Sequence, residues 1–238
     1  HSYCFSCETL FPDQGEPPTK INTSLKNEKR FSSIDDRKIN INTAKKYNTL
    51  VRKTGTVITH HVYQYYDCDG NHIANKIREV QNKKFWSEGN LSGAELFGQN
   101  IFNQSGKYIT VCEGEIDAMS AYELMGSKWP VVSIKNGAPS ALENCKQAFH
   151  YLDKFQNIVL CFDNDKQGQE ASEKVAQLFE PNKCKIVKLE YKDANEYLKM
   201  GEHEKFVQAW WNSKTYTPAG IINLADLGDS LYEEEYNE

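Results

Sequence analysis

Carboxylates stand directly behind two short apolar runs. YITVCEGEID (residues 108–117) places Glu113 after an Ile- and Val-rich segment, and NIVLCFDND (residues 157–165) does the same for Asp163 and Asp165. Acids gathered at one place repel each other unless something positive lies between them. All-oxygen ligands select a hard ion such as Mg²⁺. An acid-x-acid loop also has a plainer use, because one Asp can cap the helix that follows.

Both runs are too short for a helix and are bounded by turn residues, which marks buried strands. Each precedes a helical pattern, so these are βα units of a parallel sheet. Ligands of an open parallel sheet bind at the carboxyl ends of its strands. Glu113, Asp163 and Asp165 therefore belong on one rim. Further strands are expected at 131–134 and 185–189. A helix is expected over 118–125, with Ile116, Met119 and Leu124 on its buried side and Gly126 just past its end. Asn136-Gly137 make a turn on the same rim, and Pro139 suits the first turn of the next helix. Backbone N–H groups of that turn could meet a phosphate. Gly168 lets the chain pass from the acidic loop into a helix reaching about Phe179. KDANEYL (residues 192–198) brings Asp193 to the rim, and Phe206 and Trp210 form the buried face of a closing helix.

Upstream, VYQYY (62–66) and IANKIR (73–78) flank Asp69-Gly70, a hairpin signal. Alternation puts Ala74, Lys76 and Arg78 on one face of the second strand and Ile73, Asn75 and Ile77 on the other. Lys83, Lys84, Phe85 and Trp86 follow. Basic residues beside aromatics suit single-stranded nucleic acid or nucleotide phosphates; an ordinary solvated sheet face is the other reading. CFSC (residues 4–7) is half of a four-ligand zinc site, and its other half is not downstream at any usual spacing. Residues 12–42, with Pro17-Pro18 and no sustained apolar period, read as a flexible tether.

The 238 residues carry 39% hydrophobic and 12% aromatic side chains, enough for a substantial core. The net charge of −5 would disfavour a nucleic-acid partner, but six acids and no Lys or Arg lie beyond Lys214. Residues 1–107 are net positive, by 15 basic to 11 acidic side chains. The acidic end reads as a solvated tail. No signal peptide and no apolar run near 18 residues is visible, so a soluble protein of a reducing compartment is expected. A chain opening with His is expected to be a piece of a longer product.

Two enzyme classes with a strand-end Asp fit poorly. Haloacid-dehalogenase-type phosphatases carry D-x-D on their first core strand, whereas here the loop is third. Response-regulator receivers offer a single phosphorylatable Asp. Neither accounts for a separate Glu113.

EGEID (113–117), DNDKQG (163–168) and KDANE (192–196) resemble the three acidic motifs of the TOPRIM fold. They look most like the primase half of the bacteriophage bifunctional primase–helicases, whose mitochondrial relative is Twinkle. VYQYYDCDGNHIANKIR (62–78) and ELFGQNIF (95–102) are similar to that family's amino-terminal subdomain, and HSYCFSC (1–7) to the second half of its zinc module. The resemblance implies an α/β fold: a TOPRIM parallel sheet with helices on both faces, preceded by a small α+β hairpin subdomain and a partial zinc ribbon. The expected division is 1–11, 12–42, 43–107, 108–214 and an acidic tail from 215.

The resemblance further implies that Glu113, Asp163 and Asp165 are the catalytic and metal acids and that Asp193 is a further metal-site acid. Lys76, Arg78 and Lys83 are expected to handle triphosphate and template, with Asn136 and Gly137 at a nucleotide contact. Cys4 and Cys7 match two of four zinc ligands. Close phage relatives carry a His between glycines where this chain has Lys135-Asn136-Gly137, which puts that nucleotide contact in question. SGKY (105–108) lacks P-loop spacing, so no motor is expected here. The implied activity is template-directed RNA primer synthesis with two Mg²⁺ or Mn²⁺ ions. The implied partners are single-stranded DNA, ribonucleoside triphosphates and a replicative helicase domain or subunit, with no membrane. Zn²⁺ is expected only if upstream ligands exist. A phage product in bacterial cytoplasm is expected, with the mitochondrion as the other location. A non-catalytic arm of a Twinkle-like helicase and a TOPRIM nuclease are the competing functions.

Overall fold

The computed structural model describes the backbone of residues 2–4, 9–11 and 19–20, and all of residues 29–102 and 104–218. Cys7 lies outside the described residues. Cys4 is described only as backbone, at the end of β1 (Ser2–Cys4), which pairs with β2 (Thr9–Phe11), itself paired with β3 (Thr19–Lys20).

Residues 29–42 are not a tether. Arg30 pairs with Val51 and Ile34 with Ile39. Ile34 is 0% exposed and Ile39 1% exposed. Asn40 caps α1 (Ile41–Lys46) by accepting from the Asn42 and Thr43 N–H groups. A segment without helical or strand period can still fold when isolated apolar side chains find a core.

The meander β4 (Thr49–Thr54), β5 (Val57–Tyr66), β6 (His72–Glu79) and β7 (Phe85–Gly89) follows as one antiparallel sheet. Its β5–β6 turn is held by Asp67, whose Oδ1 accepts from the N–H groups of Asp69 and Asn71.

The third sheet has the order β12-β11-β10-β8-β9. Its parallel strands are β8 (Tyr108–Cys112), β9 (Val131–Ser133), β10 (Asn157–Cys161) and β11 (Cys184–Ile186); the antiparallel edge is β12 (Lys214–Thr215). These strands alternate as period two requires. Ile109, Val111, Ile158 and Leu160 join one core, and Cys112, Val159 and Cys161 join the other. Both faces carry helices. α2 (Glu115–Leu124), α6 (Ala194–Met200) and α7 (His203–Trp211) share one face. α3 (Ala141–Gln147), α4 (Phe149–Leu152) and α5 (Lys166–Ala176) share the other. The expected α/β class, parallel sheet and two-sided helices are therefore present.

The chain leaves β8 toward β9 on one side and returns to β10 on the other. The β8–β10 junction is thus the point where the winding reverses, and a crevice opens there. The subdomain closes over it by sharing a core with the α2 face: Tyr47, Tyr63, Tyr65 and Phe97 pack with Met119 and Tyr122. The Tyr47 hydroxyl donates to the Val131 carbonyl at 2.8 Å in a buried setting. Phe97 also pairs with Ser133 and covers the free edge of β9. α2 is therefore apolar on more than one side, with Ala118, Met119, Ala121, Tyr122 and Leu124 all buried, whereas Ile116 is only partly buried.

Ile34→Ala should lower the unfolding free energy by about 2–5 kcal/mol, the range for a core Ile truncated to Ala. Urea denaturation measures it; a loss under about 0.5 kcal/mol would mean that residues 29–42 are not part of the cooperative core.

Candidate active site at the carboxyl edge of the sheet

Backbone N–H groups place the acids. Glu113 follows β8, and its Oε1 accepts from the Ala138 N–H at 3.1 Å. Its Oε2 is buried without a hydrogen-bond partner among the described residues. The donor comes from the turn after β9, where Gly137 has φ 72°. That N–H, expected to be open to a phosphate, is taken by Glu113.

Asp163 follows β10 by two residues, and its neighbour Asn164 donates its N–H to the Lys192 carbonyl at 2.7 Å. This bond ties the acidic loop to the Asp193 loop. A Cβ at position 168 would lie 2.3 Å from the Asp163 carbonyl oxygen, so only Gly lets the first turn of α5 approach so closely. Asp165 is the N-cap of α5, accepting from the Gly168 N–H at 2.8 Å, and Asp193 is the N-cap of α6, accepting from the Glu196 N–H at 2.9 Å. The capping use open in the sequence is thus realised at Asp165. A cap occupies one carboxylate oxygen and leaves the other available.

Asp117 was absent from the expected set. It lies in the first turn of α2, four residues after Glu113, and accepts from the Asn195 N–H at 3.3 Å. Burial, then Asp193 and Asp163, push its carboxyl well above the usual range. The same forces act on Asp163: burial first, then Glu113 and Asp193, raise it to about 6. Four acids from three loops and one helix start therefore feel one another across the β8–β10 crevice. Among the described residues no three His, Cys, Asp or Glu side chains already stand at ligand spacing. The donor set nevertheless suits a hard divalent ion: it is all oxygen, its neighbours push the Asp117 and Asp163 carboxyls up, and Glu113 Oε2 lacks a partner among the described residues. Lys192 Nζ lies 3.5 Å from Asp163 Oδ2 with its side chain 67% exposed. The ammonium stands at the solvent side of the mostly buried Asp163, which keeps a raised pKa despite it, so this pair does not cancel the local negative charge.

The basic residues divide. Lys76 donates to the Lys135 carbonyl at 2.6 Å and pairs with Glu115 Oε1 at 2.8 Å, while the Tyr65 hydroxyl donates to the same Glu115 oxygen at 2.6 Å. Lys76 is therefore a partly buried brace between subdomain and crevice, and it also lines the larger crevice cavity. Arg78 is 7% exposed, and its Nη1 has no hydrogen-bond partner among the described residues. Lys83 (φ 54°) lines a cavity of about 250 Å³ with Arg78, Asp117, Asp163 and Asp193. Asn136 and Gly137 line an adjoining cavity of about 500 Å³ with Lys76, Glu113 and Asp163. Lys135, in the segment that departs from phage relatives, is buried. Its Nζ donates to the carbonyls of Ser92 and Ala94 and to Gln147 Oε1.

Strand-end acids at the reversal point of a parallel sheet, with a basic wall above them, define a TOPRIM-type site. The family described as Toprim-like matches residues 110–198. The primase fragment of the bacteriophage T7 primase–helicase superposes with TM-score 0.70 at 35% identity, covering 78% of this chain and 76% of that one. A chain from the structure of T7 lagging-strand DNA polymerase interacting with primase domains bound to an RNA/DNA hybrid and dTTP gives 0.72 at 34%, covering 80% and 96%. The chain belongs to the TOPRIM-type DNA primases, among the primase halves of bacteriophage primase–helicases. A DNA helicase/primase of enterobacteria phage T3 is 31% identical across the whole chain, and the chain spans 44% of that relative's length. The E. coli primase catalytic core, at 13% identity, TM-score 0.59 and coverage of 84% and 76%, shares the fold.

Because folding raises the Asp163 carboxyl from 3.8 to about 6, the native state holds this proton more tightly than the unfolded chain does. With EDTA present, the Asp163 contribution should therefore lower stability as pH rises from about 4 to about 6, against the opposite contributions of Asp36 and Asp67. The thermal midpoint of Asp163→Asn should gain on that of the unaltered chain as pH rises across that window; parallel curves would show that this carboxyl is not raised.

Proposed function

We propose that the chain is the polymerising part of a primase. It joins two ribonucleotides on a single-stranded DNA template and extends them into a short RNA primer. The observation that carries this reading is the carboxylate crevice facing a basic wall. Glu113, Asp117, Asp163 and Asp193 lie on the sheet side, and Arg78 and Lys83 on the subdomain side.

In the reaction a 3′ hydroxyl attacks the α-phosphate of the next nucleotide, and pyrophosphate leaves. Little covalent work falls to the protein; its contribution is positioning and charge neutralisation. Glu113, Asp163 and Asp165, with Asp117 and Asp193 beside them, would hold two Mg²⁺ or Mn²⁺ ions. Those ions, when bound, supply activation of the attacking oxygen and stabilisation of the leaving one. Glu113 is anchored through one oxygen and presents the other, bare and buried, to the crevice. Arg78 and Lys83 neutralise the triphosphate from above, and Lys76 braces the wall that carries them. Asn136 and Gly137 line the larger cavity beside Glu113, where a nucleotide sugar or base would stand.

The template is single-stranded DNA and the substrates are ribonucleoside triphosphates. The partner is a replicative helicase, as a domain of the same product or as a separate subunit. The place of action is the cytoplasm of a bacterial host. Among the described residues no helix is long and apolar enough to cross a membrane. Cys4 and Cys7 would complete a Zn²⁺ site only with ligands upstream of His1.

Asp163→Ala should reduce template-dependent dinucleotide synthesis at least about a hundredfold while leaving binding of a single-stranded oligonucleotide within about twofold. Wild-type rates in that variant would refute the assignment. DNA cleavage without dinucleotide formation by the unaltered chain would instead indicate a nuclease.

A further inference from the structure

Phe85 stands in the walls of both crevice cavities, the smaller with Arg78 and Lys83 and the larger with Lys76 and Glu113. It is 52% exposed and lies on β7, in which every residue is exposed. Neighbouring residues of a strand point to opposite faces. Trp86 accordingly turns to the other side, where it meets the His60 ring edge-on at 5.5 Å. Phe85 turns to the crevice, in register with Arg78 on β6. Among the described residues its ring meets no other ring. It meets two cations, Lys76 Nζ at 5.2 Å and the Arg78 guanidinium at 5.8 Å.

An exposed Phe on a sheet edge is by itself ordinary. Its neighbour is not. Arg78 is more than nine-tenths buried, and its Nη1 finds no acceptor among the described residues. A buried guanidinium N–H without an acceptor is costly, and an anionic oxygen from a ligand would satisfy it. One wall of the crevice thus offers a partner for phosphate and, a side chain away, a bare aromatic face. A nucleotide carries both complements, an anionic phosphate and a base. Base–aromatic stacking is tolerant of base identity because every base has a π face.

We propose that Phe85 is the stacking platform for the base of a ribonucleoside triphosphate whose phosphates engage Arg78. The proposal rests on the primase reading, and it assigns a base subsite to the crevice. Stacking that is equal in the bound and reacting states lowers KM without changing kcat.

The test titrates the full chain, with Mg²⁺ and without template, by calorimetry against ATP and against inorganic tripolyphosphate. Tripolyphosphate has the charge and lacks the base. Phe85→Leu should weaken ATP binding about tenfold and leave tripolyphosphate binding unchanged, and Phe85→Tyr should restore ATP binding. In dinucleotide synthesis Phe85→Leu should raise KM for the nucleotide about tenfold with kcat within about twofold. Equal loss of both ligands would show that the ring only props the cations and would overturn the proposal. So would unchanged binding of both, failure of the unaltered chain to bind either, or a loss confined to a single-stranded oligonucleotide, which would assign the ring to the template. An unaltered chain that makes no dinucleotide defeats the primase reading separately, since the binding comparison does not require turnover.

Discussion

Mutual repulsion among carboxylates is the constraint around which the molecule is built. Glu113, Asp117, Asp163 and Asp193 are drawn together although burial and proximity raise the protonation tendency of Asp117 and Asp163. Backbone N–H groups hold them there: Ala138 for Glu113, Asn195 for Asp117 and Glu196 for Asp193. Every anchoring donor comes from a turn or a helix start, where N–H groups lack intrahelical partners. The same geometry that ends each strand therefore supplies the group that fixes an acid. Glycine at 168 permits the close approach to the Asp163 carbonyl, and glycine at 137 permits the positive φ of the turn that presents the Ala138 N–H.

The subdomain is the second half of the same device. Sheet and meander share one core through Tyr47, Tyr63, Tyr65 and Phe97, so the basic wall cannot drift from the acidic one without unpacking aromatic side chains. Lys76 and Glu115 form an ion pair at that junction, joined by the Tyr65 hydroxyl. A buried pair of this kind adds little net stability, but losing one partner leaves the other charge stranded. It ties β6 of the subdomain to the first turn of α2. Lys135 does comparable work at the rim. Its ammonium holds the carbonyls of Ser92 and Ala94, and its own carbonyl receives Lys76.

Much of this was legible in the residues. Short apolar runs bounded by turn residues marked β8 and β10, and the acids behind them marked the rim. Gly126, Pro139 and Gly168 marked helix boundaries through their backbone needs. What stayed hidden depended on tertiary contact. Ile34 and Ile39 fold a segment with no period of its own, because a lone apolar side chain declares its partner only in three dimensions. Asp117 sits inside the quoted EGEID motif, yet it is the first turn of α2, packed against the start of α6, that returns it to the crevice, a relation that strand-end reasoning does not reach. Lys76 and Lys135 look like solvated charges in sequence and are held by carbonyls and a carboxylate in the fold. Arg78 was placed on the correct face by alternation, but its burial and unpaired Nη1 depend on how the subdomain packs against the acidic side of the crevice. Ile116 was expected on the buried side of a one-faced helix, whereas α2 is covered on more than one side and leaves Ile116 at the margin.

The central claim is that the strand-end acids converge in order to share divalent cations. Mn²⁺ titration followed by electron paramagnetic resonance measures this directly, because free Mn²⁺ has a strong signal that is lost on binding. The full chain should take up as many as two Mn²⁺ ions at neutral pH, and Glu113→Gln should abolish or greatly weaken at least one of them. No uptake by the unaltered chain, or uptake identical in Glu113→Gln, would contradict the account.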